Sequence, residues 1–319
     1  MDVLSRGHVI NNIIRRAKAY FSLLNMNPEA VILKRKKFYF EEDSYKQKNI
    51  WINILLFVVT VITTTVAGAE SVSSIRAIVF SGLPYSITIM TILLSHEMGH
   101  YLAARYFGLK ATLPYFIPFP SIVGTMGAII KLKSPIQDRR VLLFVGAMGP
   151  IAGFILSLAA SIVGIYLSEV KALPAEPGGI VPIFGDSLIF LILTKIIHGT
   201  IPQGFDIYFS PYAWAGWIGF LVTSLNLMPI GQLDGSRVIY ALIGRKQLYV
   251  GWATLAGLIV LSFFWPGWIL WIIMAFVFLM IGHPPVEDGV ALSAGEKIMG
   301  WFCIIIFLLT FIPVPVTFI

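Results

Sequence analysis

Ser95-His96-Glu97-Met98-Gly99-His100 closes a run, Ala77 to Leu94, that carries no charged side chain. At about 1.5 Å per residue, a helix over this run reaches most of the way across a bilayer's hydrocarbon. The His-Glu-x-x-His spacing puts two imidazoles at i and i+4, on one helix face and about one turn apart. Two such imidazoles can share one Zn2+, with the intervening Glu beside the metal to take a proton from bound water. Ionisable groups are expensive inside a membrane, so the rest of the chain is read for what compensates them.

Composition sets the class. Of 319 residues, 57% are hydrophobic and only 12% charged, against roughly a quarter charged in soluble domains. That predicts an integral membrane protein: an all-α polytopic chain of about six to eight transmembrane helices with one modest polar appendage. The single cysteine, Cys303, excludes an intrachain disulfide and any multi-cysteine zinc site, and reads as a small core or lipid-facing residue. The net charge of +7 does not point to nucleic acid, because the basic residues flank apolar spans as an inner-leaflet bias would place them.

Two domains are expected. Met1 to Asn49 is a basic cytoplasmic segment with clusters at Arg15-Arg16 and Lys34-Arg35-Lys36-Lys37, and Val9 to Leu24 suits a helix lying on an anionic surface. It has no apolar core, so it does not read as a secretory signal peptide, and no transit peptide is recognisable in it, which favours a prokaryotic cell membrane. Residues 50–319 form the membrane domain. Its expected spans are Ile50 to Ala69, Ala77 to Phe107, Val141 to Leu167, Pro211 to Met228, Tyr249 to Trp265, Gly267 to Gly282 and Ile298 to Phe311. Ser187 to Ile197 is too short to cross and is expected in the interface.

One stretch does not fit a plain helix. Pro114, Pro118 and Pro120 forbid a continuous helix over Leu109 to Lys133, yet Phe116 to Ile130 is too apolar for a solvated loop. A re-entrant or interfacial β-hairpin, buried in protein, satisfies both constraints. On the third span, Gly146, Gly149 and Gly153 suit close helix approach.

Charge orients the whole. With the N-terminal segment inside, every Lys and Arg except Arg76, Lys171 and Lys195 falls on the inner side. The His96/His100 end of the second span and the Met228 end of the fourth then share one depth. There lies Asn226-Leu227-Met228-Pro229-Ile230-Gly231-Gln232-Leu233-Asp234-Gly235, with Asp234 in apolar surroundings that demand a cation or metal partner. Pro229, Gly231 and Gly235 break the helix and let Asp234 turn toward the second span. Two His and one carboxylate leave a fourth zinc position open, the catalytic pattern.

An intramembrane His-Glu-x-x-His helix followed by Asn-x-x-Pro…Leu-Asp-Gly resembles the site-2 protease family of intramembrane zinc metalloproteases, in its prokaryotic and chloroplast branch. Gly124-Thr125-Met126-Gly127, Ser134-Pro135, Arg139-Arg140 and Gly149-Pro150-Ile151-Ala152-Gly153 are similar to the family's core pattern, over roughly Ala77 to Arg237. The resemblance implies that His96, His100 and Asp234 bind one zinc and that Glu97 activates water. It implies that Asn226 holds the substrate or polarises its carbonyl, and that the substrates are single-pass membrane proteins. Two departures stand out: Asp234-Gly235-Ser236 replaces the common Asp-Gly-Gly, and the PDZ domain that many bacterial members insert has no counterpart.

Other histidines read differently. His8 and His198 fall away from the site, and His283 suits a helix cap. Two rival readings remain at this level: an ion or proton transporter using the same polar residues, or an inactive family member serving as a membrane scaffold. The halves show no inverted repeat, which counts against transport.

Overall fold

In a computed structural model of the chain, the described residues are 50–136, 138–172, 182–281, 286 and 291–318. The N-terminal segment with His8, the Pro174–Gly179 stretch and His283 lie outside them. Among the described residues the fold is mostly helical with three small two-stranded sheets.

Three helices are long and apolar enough to cross a membrane: α1 (Ile50–Ala67), α2 (Ile75–Tyr106) and α3 (Arg139–Tyr166). Short side-chain acceptors start the second and third cleanly. Ser74 takes the Ala77 N–H ahead of α2, and Asp138 takes the Arg140 N–H ahead of α3. After α3 come α4 (Leu188–His198), α5 (Pro211–Leu227), α6 (Asp234–Ile243), α7 (Gln247–Ser262), α8 (Trp268–Ile281) and α9 (Ala294–Thr310). Ser293 and Glu296 close a reciprocal capping box at the start of α9. This helix thus begins four residues earlier than the apolar run at Ile298 suggests, because capping chemistry rather than hydropathy sets its start.

Large apolar side chains such as Trp51, Leu55 and Ile62 on α1 and Leu270 and Ile273 on α8 face outward. Such faces suit hydrocarbon and not water. The buried threonines of α1 are satisfied locally: Thr60, Thr64 and Thr65 donate to carbonyls one turn back, and Thr64 also meets Ser86 of α2 at 2.7 Å.

The proline-rich stretch forms the expected hairpin, β1 (Tyr115–Pro118) antiparallel to β2 (Thr125–Ile129), with a register shift between Phe116 and Pro118. At its base, the Asn53 amide of α1 donates to the carbonyls of Leu113 and Pro114. At its tip, a Cβ on Gly124 would stand 2.6 Å from Thr64 Cα, and φ there is +80°. Asn53 and Thr64 are separated by about 16 Å of helix, so the hairpin runs along α1. Tyr85 of α2 donates to the Val123 carbonyl from the other side. The hairpin is thus held between α1 and α2.

Between α3 and α5 the chain carries short strands. β3 (Glu169–Ala172) pairs antiparallel with β5 (Phe205–Tyr208), and β4 (Pro182–Phe184) pairs with β6 (Val316–Phe318). His198 ends α4 against the Ile165 carbonyl at 2.7 Å, far in sequence and role from the His96 cluster.

At the centre stands α3, packed against α2, α5 and α6. The main core joins Tyr85 and Ile89 of α2 with Leu143 and Phe154 of α3, Trp217 and Phe220 of α5, and Cys303 of α9. Cys303 is a core residue. A second core, built on Leu255, Leu258, Trp268 and Leu279, holds α7 and α8 together.

Candidate metal centre

α2 carries His96 and His100 on one face, one turn apart, with rings edge to face and centroids 4.8 Å apart. Their Nε2 atoms stand 3.1 Å from each other. The Nδ1 of His100 lies 2.5 Å from the Val145 carbonyl of α3, and a carbonyl can only accept. Nδ1 therefore holds the proton in the neutral ring, and the Nε2 lone pair turns toward His96.

The third group arrives by a sharp reversal. α5 ends at Leu227, and the chain turns through Met228 to Leu233 with Gly231 at φ +57°. A new helix, α6, then starts at Asp234 itself. The sequence reading anticipated the break but not this helix. Ser236 donates to the Gly231 carbonyl at 2.6 Å, and Gln247 of α7 donates to Ser236 Oγ at 2.8 Å and to the Pro229 carbonyl at 3.3 Å. The serine that replaces the common second glycine is thus fully buried and ties the turn together. A Cβ on Gly235 would fall 1.8 Å from the Leu227 carbonyl oxygen, so α6 butts against the end of α5 and Asp234 is driven back toward α2.

Asp234 Oδ2 lies 3.0 Å from His100 Nε2 and 3.5 Å from His96 Nε2. Three donor atoms from residues 96, 100 and 234 thus form a triangle, and all three residues are less than a tenth exposed. Each pair of such atoms, dry and rich in lone pairs, needs a proton or a cation between its members. Bonds of about 2.1 Å to a tetrahedral zinc imply donor separations of about 3.4 Å. The donor set fits that ion.

Glu97 is buried beside His96, and its carboxylate faces the backbone N–H of Ile130, just past β2. The hairpin therefore reaches the one acid that the motif places between the histidines. Asn226 stands on the last turn of α5, half-buried. The structure brings together His96, His100 and Asp234 with Glu97 at their side, and leaves Asn226 outside that cluster's hydrogen bonds.

α3 supplies no ligand and yet shapes the centre. A Cβ on Gly149 would lie 2.1 Å from His100 Nε2, and one on Gly153 would lie 3.1 Å from His96 Nδ1. The two imidazoles occupy the space that side chains at these positions would take. On the α2 side, a Cβ on Gly99 would meet the Met148 carbonyl at 2.3 Å, so Gly99 lets α2 and α3 pack closely. The glycines could be read in the sequence as a packing stripe. Their facing the rings, the Val145 carbonyl and the Ser236–Gln247 pair could not, since none of these announces its partner.

Comparison with known proteins agrees with this geometry. The model of "Peptidase family M50" matches residues 84–264, which include all five site residues named above. A "Probable zinc metalloprotease EGY2, chloroplastic" of Arabidopsis thaliana is 30% identical over 244 residues, covering 74% of this chain and 43% of that protein. A "Probable zinc metalloprotease EGY1, chloroplastic" of the same plant is 33% identical over 173 residues, covering 53% of this chain and 31% of its own. The chain spans less than half the length of the curated relatives it matches. No solved structure matches it. With more than half of its length under one family model, and that half containing the whole cluster, the chain belongs to peptidase family M50, the site-2 protease family.

Proposed function

We propose that this chain is an intramembrane zinc metalloprotease that hydrolyses peptide bonds in or near the transmembrane segments of single-pass membrane proteins. The observation that carries the reading is the convergence of His96 Nε2, His100 Nε2 and Asp234 Oδ2 within 3.0–3.5 Å, with Glu97 adjacent. These three residues hold one Zn2+. The ion, when bound, lowers the pKa of water and polarises a carbonyl.

The chain's own groups do the rest. Glu97 takes the proton from the attacking water and returns it to the leaving amine, so that water adds across the C–N bond and the carboxylate is regenerated. Asn226, one turn before the Asp234 reversal, donates its amide to the substrate carbonyl as negative charge develops there. A transmembrane helix hides its carbonyls in internal hydrogen bonds, so the substrate must unwind before it is cut. The β1–β2 hairpin, running along α1 and ending beside Glu97, offers a strand edge for the extended segment.

The relatives' printed names support zinc and proteolysis, and the apolar faces of α1 and α8 support a bilayer around the site. The layout that goes with this reading has six to eight spans. A cytoplasmic segment occupies 1–49, a membrane domain 50–319, and the protease core about 77–237. The basic bias of one set of helix ends favours a layout with the site toward the cytoplasm, and the membrane that goes with this reading is a cell membrane of prokaryotic type. In the plant relatives the organelle named is the chloroplast.

Zinc stoichiometry of the purified chain and of Asp234→Ala, paired with cleavage of a single-pass substrate, tests the proposal. One zinc per wild-type chain, lost in the variant together with cleavage, is the expected outcome. A wild type that cleaves without zinc, or takes up none, ends it.

A further inference from the structure

The structure assigns Arg237 as a positioning residue of the metal site: its guanidinium takes one oxygen of Asp234 and leaves only the other for the histidines. The inference rests on the zinc-site reading above and adds to it a residue that touches neither metal nor substrate.

Arg237 follows Asp234 by three residues, one turn along α6, so both side chains leave the same helix face. Its Nη1 lies 3.4 Å from Asp234 Oδ1, while Asp234 Oδ2 is the oxygen that meets both imidazoles. The carboxylate is therefore divided, one oxygen inward and one to the arginine. Among the described residues Arg237 is the one Lys or Arg within ion-pair range of Asp234. Without it, Oδ1 would be a buried anionic oxygen with no donor among the described residues, free to swing toward the histidines. A carboxylate turned that way offers two oxygens to a metal and closes the position that a catalytic site keeps open.

A further feature holds the arginine in place. A Cβ on Gly146 of α3 would stand 2.9 Å from Arg237 Cβ, so the arginine stem lies in the gap that Gly146 leaves. The arginine side chain as a whole is only 27% exposed, so it is held against α3 on one side and Asp234 on the other. An arginine also suits the task better than a lysine, being planar, always charged and able to present its donors in a fixed fork. Gly146, Gly149 and Gly153 thus make room in turn for the arginine that orients Asp234, for His100 and for His96.

The test uses the full chain in detergent, comparing wild type with Arg237→Gln and Arg237→Lys. Two readouts besides activity are measured: the zinc dissociation constant by chelator competition, and the visible spectrum of the cobalt-loaded protein. Arg237→Gln is expected to weaken zinc binding by about 10- to 100-fold, the usual loss for an outer-shell partner. Its cobalt bands should fall in intensity as a second Asp234 oxygen raises the coordination number, and Arg237→Lys should restore part of both. Wild-type affinity with an unchanged cobalt spectrum in Arg237→Gln overturns the proposal. So does a metal-free melting temperature that drops in both variants while their zinc affinity holds, or a failure of both to fold, since either makes Arg237 a residue of the fold. If the wild type itself takes up neither metal, it is the zinc-site reading that fails. If the wild type binds and the variants match it, only the role of Arg237 does.

Discussion

α2 and α3 lie side by side, and they build the same site in opposite ways. α2 contributes through what its side chains carry: two imidazoles that helical spacing turns to one face, and a carboxylate next to them in the chain. α3 contributes through what its side chains lack: glycines where the imidazoles and the arginine stem must pass, and one backbone carbonyl to fix a tautomer. The first kind of contribution determines which chemistry is available. The second determines whether it is held in register, since a packed interior yields to an added methyl group only at a cost. The comparison can be broken by altering one helix at a time and asking which property is lost.

The largest effect should come from α2. Glu97→Gln keeps the shape of the side chain and removes the base, so cleavage of a single-pass substrate should fall by about 10²- to 10⁴-fold. Zinc content should stay at the wild-type level, because Glu97 is not one of the three donors. Chemistry would be lost with the scaffold intact. Full retention of cleavage would remove Glu97 from the mechanism.

The matching change on α3 should do the reverse. In Gly149→Ala the new methyl would overlap the His100 ring at 2.1 Å, and that ring is pinned at Nδ1 by the Val145 carbonyl. It cannot turn aside without giving up the bond that sets its tautomer. Zinc affinity should fall by about 10- to 100-fold, as when an outer-shell partner is removed, and cleavage should fall with it and recover on raising zinc. Here the chemical groups are all present and their placement is lost. An alanine variant with wild-type zinc affinity would show that α3 is a bystander.

The same contrast explains what could be read from the sequence. His96, Glu97, His100 and Asp234 were legible because ionisable groups in apolar surroundings demand partners, and the helix period and the Pro-Gly break said where those partners lie. The hairpin was legible from three prolines in a stretch too apolar for a loop. The ion-pathway alternative was legible as well, and membership in a peptidase family gives it no support. What escaped was every contribution that depends on a partner's position. Ser236 reads as a neutral exchange for glycine until Gln247 is brought beside it from α7. Val145 reads as one more apolar residue, because its carbonyl is common to all residues. α6 escaped since its short run from Asp234 to Ile243 is too brief for a span. The strands β3 to β6 escaped because their ladders join segments up to more than a hundred residues apart.

The smallest predicted effect is the most discriminating. Gly153 stands to His96 as Gly149 does to His100, on the same helix and toward the same cluster, but with more room. Its hypothetical Cβ would lie 3.1 Å from His96 Nδ1 and 3.3 Å from His96 Cβ, where that of Gly149 would lie 2.1 to 2.4 Å from the ring atoms of His100. The first separation asks the neighbour to give by a few tenths of an ångström, and the second does not fit at all. Nor is the His96 ring pinned by a backbone carbonyl among the described residues as His100 is by Val145. Gly153→Ala should therefore keep zinc and lose cleavage only several-fold, well short of Gly149→Ala, within the modest range of a tight but tolerable overpacking. Chelator competition and initial rates on the two variants measure the gradient. If Gly153→Ala is as damaging as Gly149→Ala, the glycines act together by setting how closely α2 and α3 approach. A graded pair of losses means that each glycine serves the one ring it faces.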